Sequence, residues 1–474
     1  MSETDSCGLD RIGFSDPVAA RDLLAAHRVE LGDLSEALQR MPDPDRGLRN
    51  FVRLLEALGE DGQEVRRALL ADPGHLDAVV GLAGASNYLA DLLVAQPDLL
   101  SVVLELLGSP MADERIAHLL EEGRECVRTL GDPPALGTLR ARELTLIALR
   151  DLEGVNYLRV SRAMSALAET IVKLALELAT GEWADRWGLP ERDGAPARFA
   201  VIGCGKVGSG ELVYGSDLDV IFVCDPGGEC TRRDERTGEE FWTRVAQQLT
   251  RTMQERKLYE IDVRLRPWGA QGQMVVNLDT LRDYWDEPRD VWERLAMTRS
   301  APIAGDPGLG REATRIIRDS AVGRPWPDDA REQVAGMRAR MEREVVGQEH
   351  VKLGPGGYVD AEFVAQLYSL GRAADDLPEG AAIEHTLLAL STLDAVPLEA
   401  AVELNEGLRL FRLIESRMRL RDGHAGSALP EDRRERELLA QRSDFEDARA
   451  LDVAVADTRT RMRHWFEELV GPVG

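Results

Sequence analysis

Apolar and polar positions change their period near residue 198. Over 16–188 the apolar residues recur at helical spacing, broken by Gly and Pro near 32, 42–44, 59–62, 73–74, 84, 97, 108–110 and 131–134. The longest predicted helix covers 156–179. Leu167, Ile171, Leu174, Ala175 and Leu178 form its apolar stripe, opposite Glu169, Lys173 and Glu177. Residues 193–197 read as a turn-rich linker. The run 199–202 then stops at glycines, as a buried strand does. Residues 217–223 are β-branched and aromatic, predicting a second strand. Residues 258–265 alternate, with Glu260, Asp262, Arg264 and Arg266 on one face and Tyr259, Ile261, Val263 and Leu265 on the other. Between these strands, 225–238 reads as a mobile polar loop and 239–256 as a basic-ended helix. Residues 274–276 predict a brief strand and 284–299 a helix interrupted at Pro288, with Arg299 exposed.

Helical spacing returns from about 307. A break at 354–357 precedes a helix with Asp360 and Glu362 in its first turns, where the helix dipole favours acids. Further helices follow over 379–424 and 430–470, and the row Arg409, Arg412, Arg417, Arg419 and Arg421 reads as a solvated face. The resulting fold class is α+β, a small mixed β-sheet core between N-terminal and C-terminal helical bundles. The expected partition is a tail at 1–14, helices at 15–192, the core at 193–306 and helices at 307–474.

Composition narrows the function. The chain has 474 residues and a net charge of −26, which disfavours nucleic acid as a partner. Five cysteines without a C-x-x-C, and seven scattered histidines, support neither a disulfide framework nor a zinc site. The acidic N-terminus lacks an apolar targeting segment and no run approaches a membrane span, so a cytoplasmic protein without a membrane partner is expected.

The chemistry concentrates in two stretches, 201–223 and 258–267. Asp217 and Asp219 share a strand face, and Asp262 would join them if the strands are neighbours. Paired strand carboxylates suit Mg²⁺, and a third supports a metal-assisted phosphoryl transfer. Gly208-Ser209 just upstream supplies a flexible backbone and a hydroxyl for phosphate, with Arg264 and Arg266 offsetting its charge. A rival sits in the same letters. Gly203-Cys-Gly205-Lys-Val-Gly208, with Asp225 further on, is formally a dinucleotide-binding pattern. However, eight residues separate Gly208 from Asp217, too few for a helical crossover.

Gly208-Ser209 followed by Asp217-Leu218-Asp219 resembles the nucleotidyltransferase (DNA polymerase β-like) superfamily. More specifically, the chain resembles one half of glutamine synthetase adenylyltransferase. That family's G-x-G-K-x-G-x-x-E-L and G-S-D-L-D segments match 203–212 and 215–219, and its acidic strand ending in R-L-R-P matches 259–267. Its W-E-x-x-A-x-T-R matches 292–299, its G-G-x-x-D-x-E-F-x-x-Q matches 356–366, and 85–97 resembles the helical segment ahead of the catalytic module. Ser209 replaces a usual glycine, and Trp268 stands where a smaller residue is common.

The resemblance implies Mg²⁺-dependent transfer of AMP from ATP to a tyrosine of glutamine synthetase, and the wording is closer to the adenylylating half. Asp217, Asp219 and Asp262 would bind metal, with Asp262 also drawing the acceptor's proton. Gly208, Ser209, Ser216, Arg264 and Arg266 would bind nucleotide. Phosphorolytic removal of AMP, or nucleotide sensing without turnover, are the alternatives. A PII-type signalling protein is the expected further partner.

Overall fold

The computed structural model describes residues 9, 11–27, 31–131, 134–287, 289–372, 376–423 and 426–473. Pro288, the expected helix interruption, and most of the expected tail (1–8 and 10) lie outside them. Leu9, Ile12 and Phe14 of that same segment are buried in the main core.

Helices precede the sheets up to the longest, Tyr157–Trp187, which spans 31 residues. The Asn156 side chain caps it by accepting from the Leu158 N–H, and Gly188 ends it at φ 75°. Leu167, Ile171 and Leu174 are buried on the predicted stripe, against the helices Ile116–Leu130, Pro134–Leu152 and Gly238–Glu255. At about 1.5–3 kcal/mol per buried aliphatic side chain, this stripe is a principal tie between the N-terminal helices and the sheet region.

The chain then enters β1 (Pro190–Arg192), β2 (Ala195–Pro196) and β3 (Phe199–Gly203). It continues through β4 (Leu218–Cys224), β5 (Glu229–Cys230), β6 (Arg233–Thr237), β7 (Ile261–Asp262), β8 (Val275–Asn277) and β9 (Ala301–Gly305). Two expectations are corrected here. The linker 193–197 is the turn and second arm of a β1–β2 hairpin. The loop expected at 225–238 forms β5 and β6, and together these strands make a sheet in the order β2-β1-β5-β6. Strands of two to five residues rich in turn-forming and charged positions carry no clear period.

The second sheet runs β7-β4-β3-β9. β3 is antiparallel to both β4 and β9. β4 is the centre: β7 pairs parallel with its first residues and β8 with its last, along the same edge. Phe199, Val201, Leu218, Val220 and Phe222 face the N-terminal helices and Gly238–Glu255. Ala200, Ile202, Ile221 and Val223 face the helices Leu278–Asp286 and Pro307–Ile317. The expected strand over 258–265 is shorter than its alternation suggested, because only Ile261 and Asp262 pair and the chain turns immediately afterwards.

The C-terminal helices build their own core around Tyr358, Leu404, Phe411, Leu451 and Phe466. Among the described residues no single helix is long and apolar enough to cross a membrane.

Candidate active site

Between β3 and β4 the chain makes one short helix, Gly205–Gly208, and a loop. The antiparallel pairing that follows excludes a dinucleotide-binding βαβ unit, which needs parallel strands. Gly205 opens the turn at φ +56°, and a Cβ there would lie 3.2 Å from Asp219 Oδ2. Gly208 is needed for packing, since a Cβ would meet Arg299 O at 2.1 Å and Gly203 O at 2.4 Å.

β4 places Asp219 on the face of Ile221 and Val223, at the strand end that their covering helices leave open. Asp217 immediately precedes the strand and is exposed. On the neighbouring parallel strand Asp262 stands in register with Asp219. Burial pushes the Asp219 carboxyl up to about 6, and the negative charges of Asp217 and Asp262 push the same way. Arg299 and Arg264 act against this.

Asp262 behaves oppositely. Hydrogen bonds from the Arg264 guanidinium hold its carboxyl below the usual range. Arg264 donates through its backbone N–H at 2.8 Å, through Nε at 2.7 Å and through Nη2. The other predicted phosphate ligands are also engaged. The Arg266 guanidinium donates to the carbonyls of Val263, Gly272 and Ala270, so it staples the turn after β7. The buried Ser209 Oγ lies 2.6 Å from Glu211 Oε2 and 3.0 Å from Gly205 O. Ser216 Oγ accepts from the Val213 N–H at 3.1 Å.

The donor set, carboxylate oxygens on two strands held in register, fits a hard divalent cation. Yet among the described residues no three acidic, His or Cys side chains gather closely enough to hold an ion. The structure thus brings Asp219 and Asp262 abreast with Asp217 in electrostatic range, while Asp262 remains bound to Arg264.

Beside this open face lies a sealed one that sequence reading missed. Arg299, expected exposed, is buried, with Nη1 3.6 Å from Glu211 and 3.4 Å from Glu362. Arg412 Nη2 lies 2.6 Å from the same Glu362, and its guanidinium stacks 4.3 Å over the Tyr358 ring. Glu415 accepts from Tyr358, Arg419 and Ser427 and lies 3.8 Å from Lys206 Nζ. Burial lowers the Lys206 ammonium to about 7 despite Glu415.

The arginine row read as a solvated face is therefore corrected, because Arg412, Arg417 and Arg419 are buried. So is the dipole reading of the acids. Asp360 binds Arg338 and Arg463, and Glu362 binds Arg299 and Arg412. The matching lettering at 203–212, 292–299 and 356–366 was the available signal, since all three stretches feed this seam.

These features define a helix-dominated α+β protein with one small antiparallel sheet, one small mixed sheet and a carboxylate-bearing strand face. Residues 76–316 match the family profile for glutamate-ammonia ligase adenylyltransferase, and 329–470 match that for GlnD PII-uridylyltransferase. The chain belongs to the glutamate-ammonia ligase adenylyltransferase family. It is 32% identical, over 90% of its length and 43% of the relative's, to the bifunctional glutamine synthetase adenylyltransferase/adenylyl-removing enzyme of Nocardia farcinica. The identically named protein of Streptomyces avermitilis is 34% identical over 89% of this chain and 42% of the relative. That of Thioalkalivibrio sulfidiphilus is 29% identical over 93% and 46%. The chain thus spans less than half the length of these relatives.

Proposed function

We propose that the chain is a nucleotidyltransferase that moves AMP from ATP to a tyrosine of glutamine synthetase, with residues 193–306 carrying the chemistry. The observation that carries this reading is the register of Asp262 beside Asp219, in a chain of this family. Asp217, Asp219 and Asp262 would hold Mg²⁺, whose chemistry is to polarise phosphate oxygens and offset charge developing on them. Arg264 is exposed and would give up Asp262 for the nucleotide's phosphates. The tyrosine Oη attacks the α-phosphorus, its proton passing to Asp262 Oδ, while the bond to the bridging oxygen breaks and pyrophosphate leaves. Gly208, Ser209, Ser216 and Arg266 then shape the surrounding loops, consistent with their internal hydrogen bonds.

The relatives' names also cite AMP removal, which favours a second reading. In it a phosphate oxygen attacks the phosphorus of AMP-tyrosine, the bond to the tyrosine Oη breaks, that oxygen takes up a proton, and ADP is the product. The match of 329–470 supports a PII-type protein as a regulator. The deciding experiment incubates the chain with α-labelled ATP, Mg²⁺ and glutamine synthetase. Label on a tyrosine supports transfer. ADP formed from AMP-modified glutamine synthetase and phosphate supports removal. Neither product would refute both.

A further inference from the structure

A cavity of about 410 Å³ lies between the N-terminal helices and the edge of the β7-β4-β3-β9 sheet. Its wall includes Tyr88, Arg140, Ser216, Asp217, Lys257 and Tyr259. The volume falls within the range of small-molecule sites, roughly 300–1,000 Å³.

The arginine in this wall differs from those of the seam. Arg299, Arg338, Arg412, Arg417 and Arg419 each have a carboxylate within ion-pair distance. Arg140 has none among the described residues. Its Nη1 donates to Tyr88 Oη at 3.0 Å, and its guanidinium lies 5.0 Å from the centre of the Tyr259 ring. Its Nε, buried, has no hydrogen-bond acceptor among the described residues. The Tyr259 hydroxyl, also buried, lies beside the guanidinium without a hydrogen bond of good geometry.

A guanidinium Nε and a phenol oxygen buried with unmade hydrogen bonds are costly unless a ligand completes them, although the rest of the Arg140 side chain is only half-buried. The guanidinium fork matches a carboxylate or a phosphate, and no side chain here supplies either to it. Lys257 adds a second cation to the wall, and its backbone is held at φ 52°, a conformation uncommon outside glycine. Asp217 and Glu260 also line the cavity, which sets a polarity on the bound molecule: its oxyanion goes to Arg140 and its uncharged or cationic body toward Asp217.

We infer that this cavity is a binding site for a small molecule bearing a carboxylate or phosphate, anchored by Arg140 and the hydroxyls of Tyr88 and Tyr259. The site reaches the flank of Asp217, so occupancy is felt at the aspartate face. The inference does not depend on the AMP-transfer reading.

The test is calorimetric titration of the full chain, without nucleotide, divalent metal or acceptor, in low-chloride buffer. Inorganic phosphate and succinate are the two probes. Saturable binding of one or both is expected, and which of them binds identifies the oxyanion. Arg140→Gln should weaken binding at least tenfold and Arg140→Lys by less. Tyr259→Phe, which keeps the cation and the packing, should weaken it several-fold. This variant keeps the test decisive should Arg140→Gln not fold. Absence of saturable binding of both probes up to tens of millimolar, or equal binding by wild type and Arg140→Gln, would overturn the site.

Discussion

The aspartate face and the charge seam adjoin the same glycine turn, yet they treat ionised side chains in opposite ways. On the face, carboxylates repel one another and Asp219 is driven toward its neutral form. In the seam, Glu362 and Glu415 are buried further, yet both are held below the usual carboxylate range. Burial alone would raise all of them. What differs is the company: arginines and Lys206 surround the seam acids, whereas Asp219 faces two more aspartates. Charge that is paired internally builds structure, and charge left unpaired is available to a ligand.

The largest effect that would test this contrast is on chemistry. Asp219→Asn should lower AMP transfer by on the order of 10³-fold, with the fold retained. The same substitution should not destabilise the metal-free protein at pH 8. A carboxyl raised to about 6 contributes stability below its ordinary range and loses it as pH rises through 6. Removing that charge should therefore stabilise by on the order of 1 kcal/mol, after allowing for partial exposure. Denaturant titrations at pH 5 and pH 8 measure it, and a variant less stable than wild type at pH 8 would break the contrast.

The seam should respond in the reverse sense. Glu415→Gln leaves Lys206 and Arg419 without their carboxylate and should destabilise the fold by about 3 kcal/mol. Unfolding midpoints check this directly, and a change below about 0.5 kcal/mol would show that the seam is solvated after all. The smallest effect is expected at Arg264→Gln. Freeing Asp262 from an exposed partner should tighten Mn²⁺ binding about threefold, since such exposed pairs are weak. Weaker binding would instead place Arg264 among the groups that order the site.

The contrast also explains what was legible in the sequence. β3, β4 and the long helix announce themselves through local period, and Asp219 takes its face from β4, whereas Asp217 stands just ahead of that strand. Asp262 was found by its alternation, but its strand is two residues long because Arg266 ties the following turn to its own carbonyls. The seam left almost no periodic trace. Lys206 meets Glu415 across 209 positions, and Arg299 meets Glu362 across 63. An arginine on a helix looks the same whether water or a distant glutamate completes it. The β2-β1-β5-β6 sheet leaves a trace as faint, since its strands are short and β1 meets β5 only across the intervening β3 and β4.

The seam has a practical consequence for anyone who would divide this chain. A cut between 317 and 329, where the two family matches part, would send Lys206, Glu211 and Arg299 to one fragment and Glu362, Arg412 and Glu415 to the other. Each fragment would emerge with ions stranded on a surface shaped for contact, prone to cling to whatever it met. The chain is better handled whole.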